Sequence, residues 1–202
     1  MVQPAGASVT PTRWSAPARR IPLDEKGHKL HLITCTHAEH ASAILAIFNE
    51  AIVHSTALYD YVPRPIEAMD AWFAAKESAG FPVIGAVDDD GVLLGFASYG
   101  VFRERPAYKY SVEHSVYVHK DQRGKGIGIA LMRALIAEAR ARGVHVLVGG
   151  IDVGNPSSIA MHERLGFVHA GTIREAGFKF GRWLDVGFWQ LVLDTPSDPV
   201  DG

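Results

Sequence analysis

Apolar residues recur at three- and four-residue intervals in three stretches, and this spacing predicts amphipathic helices. The three predicted helices are His37–His54, Ile66–Ala79 and a segment that runs from the glycine-rich loop at 124–128 to Arg142. Thr36 stands before the first helix and Glu39 follows three residues later, which is the pattern of a capping box. Gly80 and Gly143 come directly after the other two, where glycine commonly ends a helix.

Seven other stretches are rich in β-branched, aromatic or alternating apolar residues, which is typical of strands. They are Leu30–Cys35, Phe81–Val87, Val92–Phe102, Tyr110–His119, Val144–Ile151, Leu165–Ile173 and Trp183–Leu193. Val144–Ile151 is apolar almost throughout, so we expect a central strand buried on both faces. A short helix precedes the last two strands, with Asn155 as its cap and Pro156 at its first position. The order β-α-α-β-β-β-α-β-α-β-β, without an internal repeat, predicts an α/β or α+β domain with a mixed sheet.

The two ends of the chain lack this patterning. Residues 1–29 are rich in Pro, Ala, Ser and Thr, which predicts a flexible or surface-draped N-terminal arm. Residues 30–194 carry all the predicted elements, so we expect them to form one domain. Residues 195–202 are typical of an irregular C-terminal tail.

Composition narrows the classes of partner. The 202 residues carry a formal net charge of -2 at pH 7 without a long basic run, so no nucleic-acid partner is expected. No apolar run approaches the roughly 20 residues needed to cross a bilayer, so no membrane association is expected. Cys35 is the only cysteine, which excludes an intramolecular disulfide and is compatible with the cytoplasm, where we expect the protein.

The stretch DQRGKGIGIALM, from Asp121 to Met132, joins a predicted strand to a predicted helix. A Walker loop is excluded, because Gly124 and Lys125 are followed by glycine and no glycine stands five residues before Gly124. A dinucleotide fingerprint is excluded by the position of the third glycine, Gly128. Two interpretations remain. One is a plain strand-to-helix turn, and the other is a pyrophosphate cradle in which glycines let backbone N–H groups converge at a positive helix end.

The second interpretation gains weight from a resemblance. Arg123-Gly124-Lys125-Gly126-Ile127-Gly128 resembles motif A of the GCN5-related N-acetyltransferases, and NPSSIAMHERLGF, Asn155–Phe167, resembles the Asn-capped helix that follows in that superfamily. The resemblance covers about residues 30–193. It implies a mixed, mostly antiparallel central sheet flanked by helices, in which one strand splays from its neighbour at a bulge. It also implies acetyl-coenzyme A as co-substrate and no metal.

The resemblance assigns acetyl-coenzyme A binding to the cradle and to two flanking segments. The residues are Val116, Tyr117, Val118, Arg123, Gly124, Lys125, Gly126, Ile127, Gly128, Ile129, Asn155 and Ser158. Backbone N–H groups near Val116–Val118 would stabilise negative charge on the thioester oxygen. For Asn155 and Ser158, helix capping alone explains the spacing equally well.

Four stretches resemble the phosphinothricin and methionine sulfoximine acetyltransferase subfamily: Asn49–Asp60, Val112–Gly128, Met161–Phe167 and Gly177–Leu191. This resemblance implies direct acetyl transfer to the α-amine of a small glutamate-like amino acid, such as phosphinothricin, methionine sulfoximine or methionine sulfone. It also implies a homodimer. Two alternatives stay open. One is an acetyltransferase for another amino acid, a polyamine or a protein N-terminus, and the other is a non-catalytic acyl-coenzyme A sensor.

Acetyl transfer to an amine requires a base near the acceptor. An α-amine with a reference pKa of roughly 8 is mostly ammonium at pH 7 and must lose a proton before it attacks. Glu113 is the candidate base, because it lies on the strand before the cradle and the subfamily carries Glu there. A strand Glu that faces solvent is the alternative. His162 stands where the superfamily usually has Tyr, so the resemblance implies a general acid for the leaving thiolate, with a packed histidine as the alternative.

Recognition of an acidic acceptor requires cationic side chains for its carboxylate or phosphinate. Arg suits this role because it binds oxyanions in a bidentate manner. Arg103 and Arg105 lie in the connection before the Glu113 strand, although a solvated charged loop is the other interpretation. The candidate acceptor-binding residues are Arg103, Glu104, Arg105, Glu113, His114, Ser115 and Tyr59. His114 directly follows Glu113, so on a regular strand it faces the opposite side and acts from behind the site.

Overall fold

The computed structural model describes residues 21–22 and 29–201. Most of the predicted N-terminal arm, residues 1–29, therefore lies outside the described residues. Within that arm, Ile21–Pro22 forms a short strand, β1, which pairs antiparallel with Lys29 and Leu30.

The described chain continues with seven longer strands and four helices. The strands are β2 (Lys29–Thr34), β3 (Val83–Val87), β4 (Leu93–Val101), β5 (Ser111–Val118), β6 (Val146–Asp152), β7 (Val168–Lys179) and β8 (Arg182–Val192). The helices are α1 (His37–His54), α2 (Ala68–Ser78), α3 (Ile127–Ala141) and α4 (Pro156–Arg164). Thr36 caps α1 as predicted, since its Oγ1 accepts from the Glu39 N–H at 3.4 Å. The reciprocal bond of a capping box is replaced, because the Thr36 N–H donates to Nδ1 of His40 at 3.1 Å and Glu39 Oε2 accepts from the Thr36 hydroxyl at 3.0 Å.

The strands form one sheet in the order β1-β2-β3-β4-β5-β6-β8-β7. Among the strand pairs described, β5 and β6 are parallel and the others are antiparallel. The predicted mixed, mostly antiparallel sheet flanked by helices is therefore confirmed. Among the described residues, no helix is both long and apolar enough to cross a membrane.

Helices cover both faces of the sheet, and each face has its own apolar core. On one face, α1 and α2 pack through Ile44, Phe48 and Phe73 against strand residues that include Phe96. On the other face, α3 and the turn after α4 pack against β4, β5 and β6, and Leu131 is fully buried in that cluster. Successive side chains of a strand point to opposite faces, so each residue of β5 belongs to one of these two sides.

Two details differ from expectation. The strand predicted to end at Ile173 continues to Lys179, and its partner begins at Arg182. The extension lies at a sheet edge and is largely exposed, so it lacks the apolar alternation that would have predicted it. The bulge expected in β5 is also absent, because β5 follows β4 in unbroken register from Val112 to Val118.

Candidate functional site

The parallel strands β5 and β6 stay together for only three residues. Ser111–Glu113 pairs with Val146–Val148, and the two strands then separate. A cavity of about 460 Å³ lies where they part. Because alternate backbone groups of a strand point to each side, this separation leaves the β6-facing backbone groups of residues 114–118 without a strand partner.

Two glycines of β6 make room for side chains at this gap. A Cβ on Gly149 would lie 2.8 Å from Cε1 of His114, and a Cβ on Gly150 would lie 3.3 Å from Oε1 of Glu113. The dipeptide therefore lets a histidine fill one face of the gap and a carboxylate fill the other. Sequence reasoning missed both glycines, although a pair of glycines within an apolar strand signals a close approach.

Glu113 lines the cavity on the face of α1 and α2. It is half-buried, and within residues 29–201 its carboxylate forms no hydrogen bond or salt bridge. Burial raises the pKa of Glu113, whereas the charge of Arg103 opposes this rise. A carboxylate with a raised pKa and no partner is suited to accept a proton.

His114 and His162 form a buried pair on the opposite face. Their Nε2 atoms lie 2.9 Å apart, and Nδ1 of His162 lies 2.7 Å from the carbonyl oxygen of Ser158. A carbonyl only accepts, so Nδ1 of His162 carries a proton and donates it to Ser158. In the neutral pair, Nε2 of His114 then donates to Nε2 of His162. Burial lowers the pKa of both rings; the charge of His162 lowers that of His114 further, while the Ser158 contact opposes the shift at His162.

The glycine-rich loop has the backbone of an anion cradle. Gly124 and Gly126 adopt φ of 80° and 78°, the left-handed region that favours glycine, and Gly126 caps the N-terminus of α3. A Cβ at either position would meet no atom within 4 Å, so the surface above the loop is open. Gly128 serves packing instead, because a Cβ there would lie 3.0 Å from Sδ of Met161 on α4.

The charged and polar residues of the cradle are held by neighbours. Arg123 donates from Nη2 to Oε2 of Glu50 at 2.6 Å, which ties the loop to α1. Lys125 donates from Nζ to Oε1 of Gln122 at 2.7 Å. Ile127 is buried in the core, Ile129 is half-buried, and Val118 packs against the same core as Ile127.

Asn155 caps the N-terminus of α4, as predicted, through a contact with Ser158. Asn155 Oδ1 accepts from the Ser158 N–H at 3.1 Å, and Ser158 accepts from His162 through its carbonyl. Both residues also line the cavity, together with Val116 and Tyr117. Their predicted contacts with acetyl-coenzyme A stay predictions.

One wall of the cavity is formed by the loop after α1, residues 55–59. Lys179 is only 4% exposed, and its Nζ donates to the carbonyl oxygens of Ile52, Ser55 and Leu58 at 2.7, 2.9 and 2.6 Å. A lysine ammonium has three donors, so this arrangement uses all of them. The loop is therefore fixed to β7.

Two more contacts hold this loop. Thr56 donates to the buried carboxylate of Asp152, which also accepts from the Gly154 N–H at 2.9 Å. The ring of Tyr59 lies against Gly177, where a Cβ would stand 2.5 Å from Cε2 of the ring. Thr56, Tyr59 and Asp152 all line the cavity.

The predicted acceptor-binding residues divide into two groups. Glu113, His114, Ser115 and Tyr59 line the cavity. Arg103 is exposed and folds back over Phe102, although its charge acts on Glu113. Glu104 and Arg105 are exposed and do not line the cavity. The structure instead brings Lys76 of α2 to the cavity wall, which the sequence pattern did not single out.

Comparison with known proteins identifies the family. Residues 48–167 match the family model described as Acetyltransferase (GNAT) family. The chain belongs to the GNAT family. Because the match covers more than half of the chain, the predicted superfamily, fold class and N-acetyltransferase class are confirmed.

Individual relatives of this GNAT enzyme agree with that assignment. It is 49% identical over 157 residues to an L-methionine sulfoximine/L-methionine sulfone acetyltransferase of Pseudomonas paraeruginosa, covering 77% of this chain and 91% of the relative. It is 42% identical over 158 residues to an L-amino acid N-acyltransferase of Escherichia coli, covering 78% and 91%. The solved structure of a GNAT superfamily phosphinothricin acetyltransferase from Sinorhizobium meliloti, in complex with AcCoA, is 34% identical with a TM-score of 0.80 and coverage of 84% and 92%.

Residues 29–201 of this GNAT enzyme contain no group of three or more His, Cys, Asp or Glu side chains placed to hold a metal ion.

Cys35 is buried, and burial raises the pKa of its thiol to about 12. A thiol of this kind is a poor nucleophile at neutral pH, so nothing about Cys35 favours a covalent acetyl-enzyme.

Proposed function

We propose that the protein transfers the acetyl group of acetyl-coenzyme A to the α-amine of a small glutamate-like amino acid, such as phosphinothricin, methionine sulfoximine or methionine sulfone. The observation that carries the proposal is the unpartnered Glu113 carboxylate in the cavity where β5 and β6 separate. The resemblance of the relatives named above supports the choice of acceptor.

The cradle and the gap fit the donor. Gly124 and Gly126 hold the loop before α3 in left-handed geometry with open space above it, and the helix end contributes partial positive charge. Lys125 and the backbone of the loop would hold the pyrophosphate, and Val116, Tyr117 and Asn155 would line the path toward Glu113. When bound, acetyl-coenzyme A supplies a thioester that is activated for attack by an amine.

The side chains on the two faces of the gap, Glu113 on one and His162 on the other, serve different proton transfers. Glu113 accepts a proton from the α-ammonium, so that the amine becomes a nucleophile. Unpaired backbone N–H groups on the β6-facing side of β5 offer donors to an oxyanion. The raised pKa of Glu113 brings its basicity closer to that of the amine, which makes this transfer easier.

The last proton transfer, to the leaving thiolate, depends on the protonation state of the pair formed by His114 and His162. In the neutral pair its Nδ1 proton is held by Ser158 and its Nε2 accepts from His114. His162 therefore acts as an acid toward a thiolate only when the pair holds an additional proton. A thiolate is a stable leaving group, since the reference thiol pKa is about 8.5, so the reaction depends less on His162 than on Glu113.

An amine panel tests the proposal, with release of free coenzyme A thiol as the readout and mass spectrometry of the acetylated product. The panel contains L-phosphinothricin, L-methionine sulfoximine, L-methionine sulfone, L-methionine, spermidine and a short peptide with a free N-terminus. The proposal expects the highest kcat/KM among the first three acceptors. A higher kcat/KM for spermidine or the peptide would favour an acetyltransferase of another specificity, and tight acetyl-coenzyme A binding with no turnover would favour a sensor.

We also propose that the protein is a cytoplasmic homodimer. Three aromatic side chains on the hairpin of β7 and β8 support a self-association surface: Phe178, Phe180 and Trp183 are 46, 57 and 58% exposed. A single buried thiol is compatible with a reducing compartment. Sedimentation equilibrium is expected to give the mass of a dimer, and a Trp183→Ser variant is expected to shift toward monomer. A monomeric wild-type protein at micromolar concentration would contradict the proposal.

A further inference from the structure

Lys76 is a half-buried cation on the wall of the cavity. Its Nζ donates to the carbonyl oxygen of Tyr99 at 2.7 Å and lies 5.4 Å from the ring centroid of Trp72 and 5.8 Å from that of Phe81. Within residues 29–201 it forms no salt bridge, and two of its three donors are not used by the protein. Burial lowers its pKa to about 8, so the ammonium form still predominates at neutral pH.

The position of Lys76 relative to Glu113 follows from the strand register. Gly100 of β4 pairs directly with Glu113 of β5, so their side-chain directions are the same. A Cβ on Gly100 would stand 3.4 Å from Nζ of Lys76. Directly paired residues have Cβ atoms about 5 Å apart, so the ammonium of Lys76 lies on the same face of the sheet as Glu113 and near the base of its side chain. The missing side chain of Gly100 is what makes room for this ammonium.

The cavity therefore offers two opposite charges that the protein does not pair. The third charged group of its lining, Asp152, is already occupied by Thr56 and the Gly154 N–H, and Arg182 lies 3.8 Å away. Lys76 is the only lysine or arginine among the lining residues that the structure describes. In a free amino acid the α-ammonium and the α-carboxylate are separated by a single carbon, so a base and a cation on the same wall of one cavity can contact both groups of one acceptor.

We propose that Lys76 binds the α-carboxylate of the acceptor, while Glu113 receives the proton of the neighbouring α-ammonium. This inference rests on the proposed function and narrows its substrate class to free amino acids. A polyamine or a protein N-terminus carries the amine without the adjacent carboxylate, and thus leaves Lys76 unpaired in a half-buried site. A buried charge without its partner is costly, so the arrangement disfavours those acceptors.

A pair of acceptors isolates the carboxylate. L-Methionine sulfone and its carboxamide share the α-amine and the side chain and differ in whether the α-carboxylate is present. Lys76→Met keeps the length and apolar stem of the side chain and removes the charge. We expect kcat/KM for the free acid to fall roughly 10- to 100-fold in Lys76→Met, the range for loss of a charged hydrogen bond, and kcat/KM for the carboxamide to change less than about threefold.

Three further variants make the result specific. Lys76→Arg is expected to restore part of the preference for the free acid, and Lys29→Met, on the far side of the sheet, is expected to behave as wild type. Arg103→Met tests the other cation near Glu113. Acetyl-coenzyme A binding by Lys76→Met is expected to match wild type, which shows that the variant is folded.

Several outcomes would overturn the assignment. Equal losses for the two acceptors in Lys76→Met would show an effect that does not involve the carboxylate. No loss for either acceptor would show that Lys76 does not bind it, as would a carboxylate-specific loss in Arg103→Met alone. A wild-type protein that acetylates spermidine or the peptide but neither sulfone acceptor would instead overturn the proposed function together with this inference.

Discussion

Glu113 and His114 are consecutive residues, yet they serve different sides of the sheet. Because side chains alternate along a strand, Glu113 faces α1 and α2 with Lys76, whereas His114 faces α3 and α4 with His162. Both reach one cavity only because β5 and β6 separate directly after Glu113. The adjacency therefore places the proposed proton acceptor and a neutral histidine pair on opposite sides of the gap.

The histidine pair predicts how stability depends on pH. The folded-state pKa of His114 lies below its unfolded value of about 6.5, so the unfolded state binds a proton first as the pH falls. Stability contributed by the neutral ring is present above pH 6.5 and is lost below it. Between pH 7 and pH 5 we expect His114 alone to remove about 2 kcal/mol from the free energy of unfolding. Urea denaturation at a series of pH values measures this change.

Two variants test whether His114 causes this pH dependence of the free energy of unfolding. His114→Phe keeps a planar ring and removes the titrating group, so its free energy of unfolding should fall less between pH 7 and pH 5 than that of wild type. His54→Phe, at the exposed end of α1, should keep the wild-type slope. Parallel slopes for wild type and His114→Phe would contradict the assignment.

At the scale of elements, the proposed donor site lies at the N-terminus of α3, and the two glycines that flank this helix provide a test. Gly126 and Gly143 flank the same helix and adopt φ of 78° and 70°. Alanine at either position should cost about 1 kcal/mol of stability, because both force a left-handed conformation. Only Gly126→Ala should also raise the Kd for acetyl-coenzyme A, by roughly tenfold.

Isothermal titration with acetyl-coenzyme A and urea denaturation of both variants check this expectation. Gly143 is the matched control, since a Cβ there meets only Pro196 at an ordinary 3.7 Å and the position lies at the opposite end of the 15-residue helix. Equal Kd values for the two variants would show that the glycine loop before α3 does not bind acetyl-coenzyme A.

Lys179 of β7 fixes the loop that follows α1. Its three carbonyl acceptors include Ile52 near the C-terminus of that helix, where a cation is also favoured by the helix dipole. Lys179→Met should lower the free energy of unfolding by about 2 to 4 kcal/mol, since three acceptors lose their donor. Lys120→Met removes an exposed lysine paired with Asp121 and should change stability by less than about 1 kcal/mol. Denaturation midpoints that fall equally in the two variants would contradict this role.

The sequence predicts those elements in which local pattern and tertiary role coincide. The cap at Thr36, the cap at Asn155 and the glycine loop before α3 are local signals, and each forms where predicted. Lys76 and Lys179 carry no such signal, because each is a single polar residue whose partners lie far along the chain, 121 to 127 positions away for Lys179. The second half of β7 was also missed, since an exposed edge strand has no apolar alternation to detect.

At the scale of the whole molecule, the cavity opens to both faces of the sheet. The glycine loop lies at the N-terminus of α3, whose body packs on one face, and the side chains of Lys76 and Glu113 lie on the other. In the proposed mechanism, the donor and the acceptor approach from different elements and meet where β5 and β6 part. Loss of the base should therefore affect turnover without affecting donor binding.

The most direct measurement is coenzyme A release with L-methionine sulfone by Glu113→Gln, alongside its Kd for acetyl-coenzyme A. Glu77→Gln, an exposed change on α2, serves as the matched control. We predict that Glu113→Gln loses at least about 100-fold in kcat while its Kd for acetyl-coenzyme A stays within about twofold of wild type. A Glu113→Gln protein that binds the donor normally and turns over within about threefold of wild type would contradict the central claim.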